Sequence, residues 1–147
     1  MKGIQDLNLA SGCIDNGRIQ HEFLHAIGIQ HHQSRSDRDQ YVNIHLENVK
    51  DKDENGRKTE KYKENFDMYS VNQVSHYGLG YDYLSVMHYA RKDFSKNNKD
   101  TITAKDSLFT NKIGQREGAS LRDVQLVQRH YGCPGTVTNI KATIFIL

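Results

Sequence analysis

No run of about eighteen apolar residues occurs in the 147-residue chain, which excludes a membrane-spanning helix. The formal net charge is only +2, with acidic and basic residues interspersed, so the one-sided basic surface that nucleic acid requires is missing. Residues 1–6 lack the apolar stretch of a signal peptide, and taken alone that points to a cytosolic chain. There are two cysteines, Cys13 and Cys133, too few for a disulfide framework. As residues they fit two free thiols, the intracellular default, or one bond closing a large loop. No internal repeat and no second domain are visible. With 36% hydrophobic and 26% charged residues, the composition is that of one soluble domain with a modest core.

Against these absences stands His21-Glu22-Phe23-Leu24-His25-Ala26-Ile27-Gly28-Ile29-Gln30-His31. At roughly 100° per residue on a helix, His25 lies about 40° around from His21 and one turn along, so both rings can reach one ion. Ile19, Phe23, Ala26 and Ile27 fall on the other side and are expected to be the buried apolar face. His31 cannot join its partners from a continuing helix, so the chain must turn first. Gly28 tolerates positive φ and can end the helix, swinging His31 back. Three imidazoles bind Zn²⁺ at about 2.0–2.1 Å and leave a fourth position for water, the catalytic arrangement. The expected metal ligands are therefore His21, His25 and His31, holding one zinc ion per chain. The metal would lower the pKa of its water from about 15.7 toward about 7. Glu22 is the expected general base and later proton donor to the leaving amine.

The pattern HExxHxxGxxH resembles that of the metzincins, and three further stretches resemble the astacin family in the expected order. They are 31–42 (HHQSRSDRDQYV), Ser85-Val86-Met87-His88-Tyr89, which is similar to the family's Met-turn, and Ile113-Gly114-Gln115-Arg116 followed by a helix ending in Tyr131-Gly132-Cys133. The resemblance runs from about Leu7 to Cys133. It implies an α+β, metzincin-like fold: an active-site helix and the edge strand of an incomplete sheet above a mostly irregular C-terminal subdomain with the Met-turn and a C-terminal helix. Residues 1–133 would be a partial catalytic domain and 134–147 a tail outside the family pattern. Implied too are a zinc endopeptidase activity on extended extracellular protein or peptide substrates, and secretion. Tyr89, as the matching tyrosine, would stabilise the oxyanion of the tetrahedral intermediate, with Met87 as an apolar floor and His88 not a ligand.

Family cysteines matching Cys13 and Cys133 pair with others nearer the N-terminus, absent here, so two unpaired thiols are expected. The opening portion of the catalytic domain is also missing, so the chain reads as a fragment, short isoform or incomplete gene model. A catalytically impaired zinc-binding remnant is therefore the alternative function. His32 stands where many members carry a glutamate that anchors the ammonium freed on activation, which puts that latch in doubt. Lys112 and Arg116 lie in a loop that can place a cation near the pocket after the scissile bond; as residues alone they read as an exposed basic loop.

Elsewhere, weak alternation at Leu7 and Leu9 reads as a short strand over 4–9, the cleft's edge strand by resemblance. Asn16 is the expected N-cap of a helix over 17–27. Residues 34–39 are too polar for core, and residues 41–46 are strand-prone. Residues 47–67 read as a charged, solvent-facing loop or helix. Within them Asp51–Gly56 begins like a calcium loop, but Lys58 and Tyr62 stand where an apolar residue and a bidentate glutamate belong. His45, His76 and His130 read as surface or partly buried histidines. Ser107 to Gln115 is expected to be loop, and Ser120 with Asp123 starts a helix to about His130. The apolar end of the tail is an aggregation liability if exposed.

Overall fold

A computed structural model of the chain describes residues 4–12 and 14–134. Cys13 and the apolar tail lie outside them. Helix α1 (Asn16–Ala26) starts at the residue expected to cap it, one earlier than expected: Asp15 is the N-cap, its carboxylate accepting from the Arg18 N–H at 2.9 Å. Two short strands follow, β1 (Val42–Ile44) and β2 (Ile102–Ala104), antiparallel with Val42 opposite Ala104 and Ile44 opposite Ile102. Between them the charged excursion contains one helical turn, α2 (Lys61–Glu64). Helix α3 (Leu121–Tyr131) carries the expected capping box, Ser120 and Asp123 each accepting the other's backbone N–H, and Gly132 closes it at φ 64°. A single 3-10 turn, Ser107–Phe109, interrupts the expected loop before it.

Two apolar clusters hold these elements together. One gathers Val42, Val49, Phe66, Tyr81, Tyr89, Ile102 and Ile113 around the strand pair. The other packs Leu24 and Ile29 from the α1 end against Val86 and Met87, with Leu126 and Val127 of α3 closing it. The turn at 85–89 thus feeds both clusters, with Val86 and Met87 in one and Tyr89 in the other, and it fixes α1 relative to the sheet.

Two expectations are corrected. Residues 4–10 form no strand: the sheet among the described residues joins β1 to β2, and no ladder runs along this stretch. The buried side of α1 is not the stripe of Ile19, Phe23, Ala26 and Ile27. Gly17, His21 and Leu24 are buried instead, and Phe23 is 56% exposed, although Ile27 does pack on the second cluster. Helical periodicity finds an apolar stripe; which side meets the core depends on the elements that come to lie against it, here the 85–89 turn. Cys133 is a free, exposed thiol, and no helix among the described residues is long and apolar enough to cross a membrane.

Candidate metal centre

The end of α1 is built to turn. Gly28 N–H donates to His25 O and Ile29 N–H to Leu24 O, both at 2.9 Å, closing the helix around Gly28 at φ +92°. A side chain there would have room, since the nearest atom to an added Cβ is His130 Nε2 at 3.7 Å; the positive φ is what favours glycine. After this bend His31 comes back alongside the helix. His25 Nε2 lies 3.1 Å and His21 Nε2 3.3 Å from His31 Nε2. Tetrahedral bonds of about 2.0–2.1 Å put ligand atoms about 3.3–3.4 Å apart, so three nitrogens at this spacing fit one zinc ion. Their ligand atoms all lie within 4.8 Å of one another, and they are the one such group of three or more among the described residues.

The far side of each α1 ring is anchored. His21 Nδ1–H donates to Val86 O at 2.8 Å and His25 Nδ1–H to Ile29 O at 2.9 Å, which leaves an unprotonated Nε2 facing the common centre in both. Burial drives the same result energetically. Desolvation pushes His31 down to about 3, with the His25, His21 and Arg116 charges adding to it, and burial lowers His21 as well. Neutral imidazoles with converging lone pairs are a cation site.

Glu22 follows His21 on α1 and is half-buried. Its negative charge opposes the lowering of both His21 and Arg116. Tyr89 is buried with its ring 4.5 Å from that of His31, and burial raises its phenol to about 12. His21, His25, His31 and Tyr89 are thus brought together, with Glu22 beside His21 in the sequence of α1. His88 is fully buried and committed elsewhere, its Nδ1 to Tyr89 O at 2.7 Å and its Nε2 to Tyr81 OH at 2.8 Å. His45 pairs with Thr103 and exposed His130 with Tyr77, and His76 is partly buried. Buried His32 accepts the Asp82 N–H at 2.9 Å on Nε2.

Several supporting residues escaped the sequence reading. Gln33, Ser34, Arg35 and Arg38 are buried, contrary to the expectation that this stretch is too polar for core. Gln33 Oε1 accepts the Tyr89 N–H at 3.1 Å; Arg35 grips Asp37 and the carbonyls of Leu79 and Gly80; Arg38 donates to Gln33 O and Phe66 O. The two guanidinium groups and the Gln33 carbonyl oxygen all find partners, which makes their burial tolerable, while Gln33 Nε2 is buried without one among the described residues. No local signal marks such partners. Arg116 is not an exposed loop cation either: it is half-buried and donates to His88 O at 3.1 Å. Its backbone lies so close to α1 that a Cβ on Gly17 would meet Arg116 O at 1.8 Å. Lys112 is exposed, with its ammonium 5.4 Å from the Phe109 ring. Asp53, in the calcium-like stretch, accepts the N–H groups of Asn55 and Arg57 and so closes its own turn.

Comparison with known proteins points to one peptidase family. The family model of Astacin, a peptidase family, matches residues 1–132. Zinc metalloproteinase nas-13 of Caenorhabditis elegans is 46% identical over 132 residues, 90% of this chain and 27% of that protein. Embryonic protein UVS.2 of Xenopus laevis is 42% identical over 132 residues, 89% of this chain and 23% of that protein. Among solved structures, high choriolytic enzyme 1, a hatching enzyme zinc-protease from the medaka Oryzias latipes, matches with a TM-score of 0.68 and 38% identity. The match covers 80% of this chain and 53% of that one. The chain thus spans about a quarter of the two curated relatives.

Proposed function

The chain belongs to the astacin peptidase family, whose members include zinc metalloproteinases, and from that premise we propose that it is a zinc-dependent endopeptidase of metzincin type. The observation that carries the reading is the convergence of three imidazole Nε2 atoms at 3.1 and 3.3 Å, each α1 ring anchored from behind. His21, His25 and His31 would hold one zinc ion, which when bound supplies Lewis-acid activation of a water. Glu22 takes the proton from the attacking water on its carboxylate and passes it to the leaving amine nitrogen. Tyr89 is a protonated phenol at neutral pH, and burial raises it further, to about 12, so its O–H can donate to the developing oxyanion. Met87 and Val86 are fully buried in the cluster with Leu24 and Ile29, and would serve as the apolar floor of the site. Arg116 gives the cleft a fixed cation, which favours acidic residues after the scissile bond. The substrates are extended protein or peptide chains, met outside the cell by a secreted enzyme.

A second reading, zinc binding without turnover, is favoured by one observation: residues 4–10, expected as the cleft's edge strand for an extended substrate, do not take strand form. A quenched-peptide assay separates the two. The enzyme reading expects turnover that a chelator abolishes, zinc restores and Glu22→Gln lowers by about 10³-fold. Stoichiometric zinc with no turnover assigns the chain to the second reading.

A further inference from the structure

His21 is tied back through a hydrogen-bond chain that ends on a buried carboxylate, and we infer that Ser85 and Asp123 are positioning residues that hold His21 as a metal ligand and strengthen its donor nitrogen. The inference rests on the three-histidine metal site proposed above. Its first link is His21 Nδ1–H donating to Val86 O at 2.8 Å. The N–H of the same peptide unit, that of Met87, donates to Ser85 Oγ at 3.1 Å. Ser85 Oγ–H then donates to Asp123 Oδ1 at 2.6 Å. Ser85 Oγ already accepts from Met87, and although burial raises the Asp123 carboxyl, the Ser120 and Val86 N–H groups on Oδ2 favour its anion, so the Ser85 hydroxyl proton goes to Oδ1.

Every donor in the chain therefore points the same way, from the imidazole toward the negative charge. All the links are buried, where hydrogen bonds polarise one another most. The Val86 carbonyl becomes a better acceptor, the His21 Nδ1–H bond is drawn out, and Nε2 becomes a stronger donor to a metal. This is the carboxylate–histidine–metal arrangement lengthened by a hydroxyl and one peptide group. His25 supplies an internal control, since its Nδ1–H goes to Ile29 O, four residues on in the same bend.

Helix capping explains part of what Asp123 does, and only part. Its Oδ2 accepts the Ser120 N–H that completes the capping box and the Val86 N–H, both at 2.9 Å. The cap has no use for Ser85. Substitutions separate the two roles: Ser85→Ala breaks the chain and spares the cap, Ser120→Ala breaks the cap and spares the chain, and Ser85→Thr retains the hydroxyl.

The test is competitive titration of the full chain with zinc, together with the His21 and His25 ring N–H signals of the zinc-loaded protein by NMR. Expected for Ser85→Ala is about a 10-fold or greater loss of zinc affinity, with the His21 Nδ1–H signal moved to higher field and the His25 signal unmoved. Ser85→Thr should restore both, and Ser120→Ala should lower the melting temperature with zinc affinity unchanged. Should Ser85→Ala fail to fold, Ser85→Cys keeps the volume with a weak donor and is expected to fall between wild type and that loss. Zinc affinity within about 2-fold and an unmoved His21 signal in the broken-chain variant would overturn the inference, as would an equal affinity loss in Ser120→Ala. A wild-type chain that binds no zinc overturns the metal reading itself, and this inference with it.

Discussion

Residues 33–38 and residues 50–61 are both polar stretches without hydrophobic periodicity, yet the first is largely buried beneath the candidate site and the second lies on the surface. The difference is in their partners. Gln33, Arg35 and Arg38 bond to Tyr89, to the carbonyls at 79 and 80, and to Phe66, each far away in sequence. Asp53 bonds to residues 55 and 57, and Lys63 pairs with Glu60 three residues away. Where such a stretch does reach out, as in the Lys96–Asp51 pair, the contact remains exposed. A polar side chain requires a partner or water; composition alone does not say which it finds.

The sharpest way to break this contrast is Arg38→Met. It strands the buried carbonyls of Gln33 and Phe66, and a loss of about 3 kcal/mol in urea unfolding is expected, at about 1–3 kcal/mol per orphaned group. The pH dependence comes next. Burial holds His88 down to about 4 against 6.5 when unfolded, so between those values the unfolded chain binds the extra proton. Stability is thus complete above about 6.5 and falls as the pH drops toward 4. His88 alone should cost about 2 kcal/mol between pH 7.5 and 5, and urea midpoints in wild type and His88→Asn should differ by that slope. Gly28→Ala, at the bend leading into the buried stretch, should cost about 1 kcal/mol through its positive φ, and should weaken zinc binding by misplacing His31. Smallest of all, Asp53→Ala should change stability by about 0.5 kcal/mol or less, and millimolar calcium should leave the wild-type melting temperature unmoved. A large effect there would place the charged excursion with the buried stretch after all.

This contrast also explains what could be read in advance. The two long helices were legible to within a residue or so, because Gly28, Ser120 and Asp123 carry local capping chemistry and Asn16, read as the first cap, adjoins the actual cap Asp15. The candidate ligands were legible because their spacing is local to one helix and its bend. Strand pairing over 4–9, the buried face of α1, the burial of Arg35, Arg38 and Arg116, and the link from Asp123 to His21 were not. Each depends on a partner tens of residues away, and no periodicity encodes that. Asp123 shows both cases at once: its cap was visible three residues off, its bond to Ser85 38 residues off was not.

The central claim is that His21, His25 and His31 share one metal ion. X-ray absorption at the zinc edge of the zinc-loaded chain tests it most directly. The expected result is one zinc per chain with three imidazole nitrogens and one further oxygen ligand at about 2.0–2.1 Å, dropping to two imidazoles in His31→Ala. Fewer than three imidazoles in the wild type, or sulfur in the coordination shell, would contradict it.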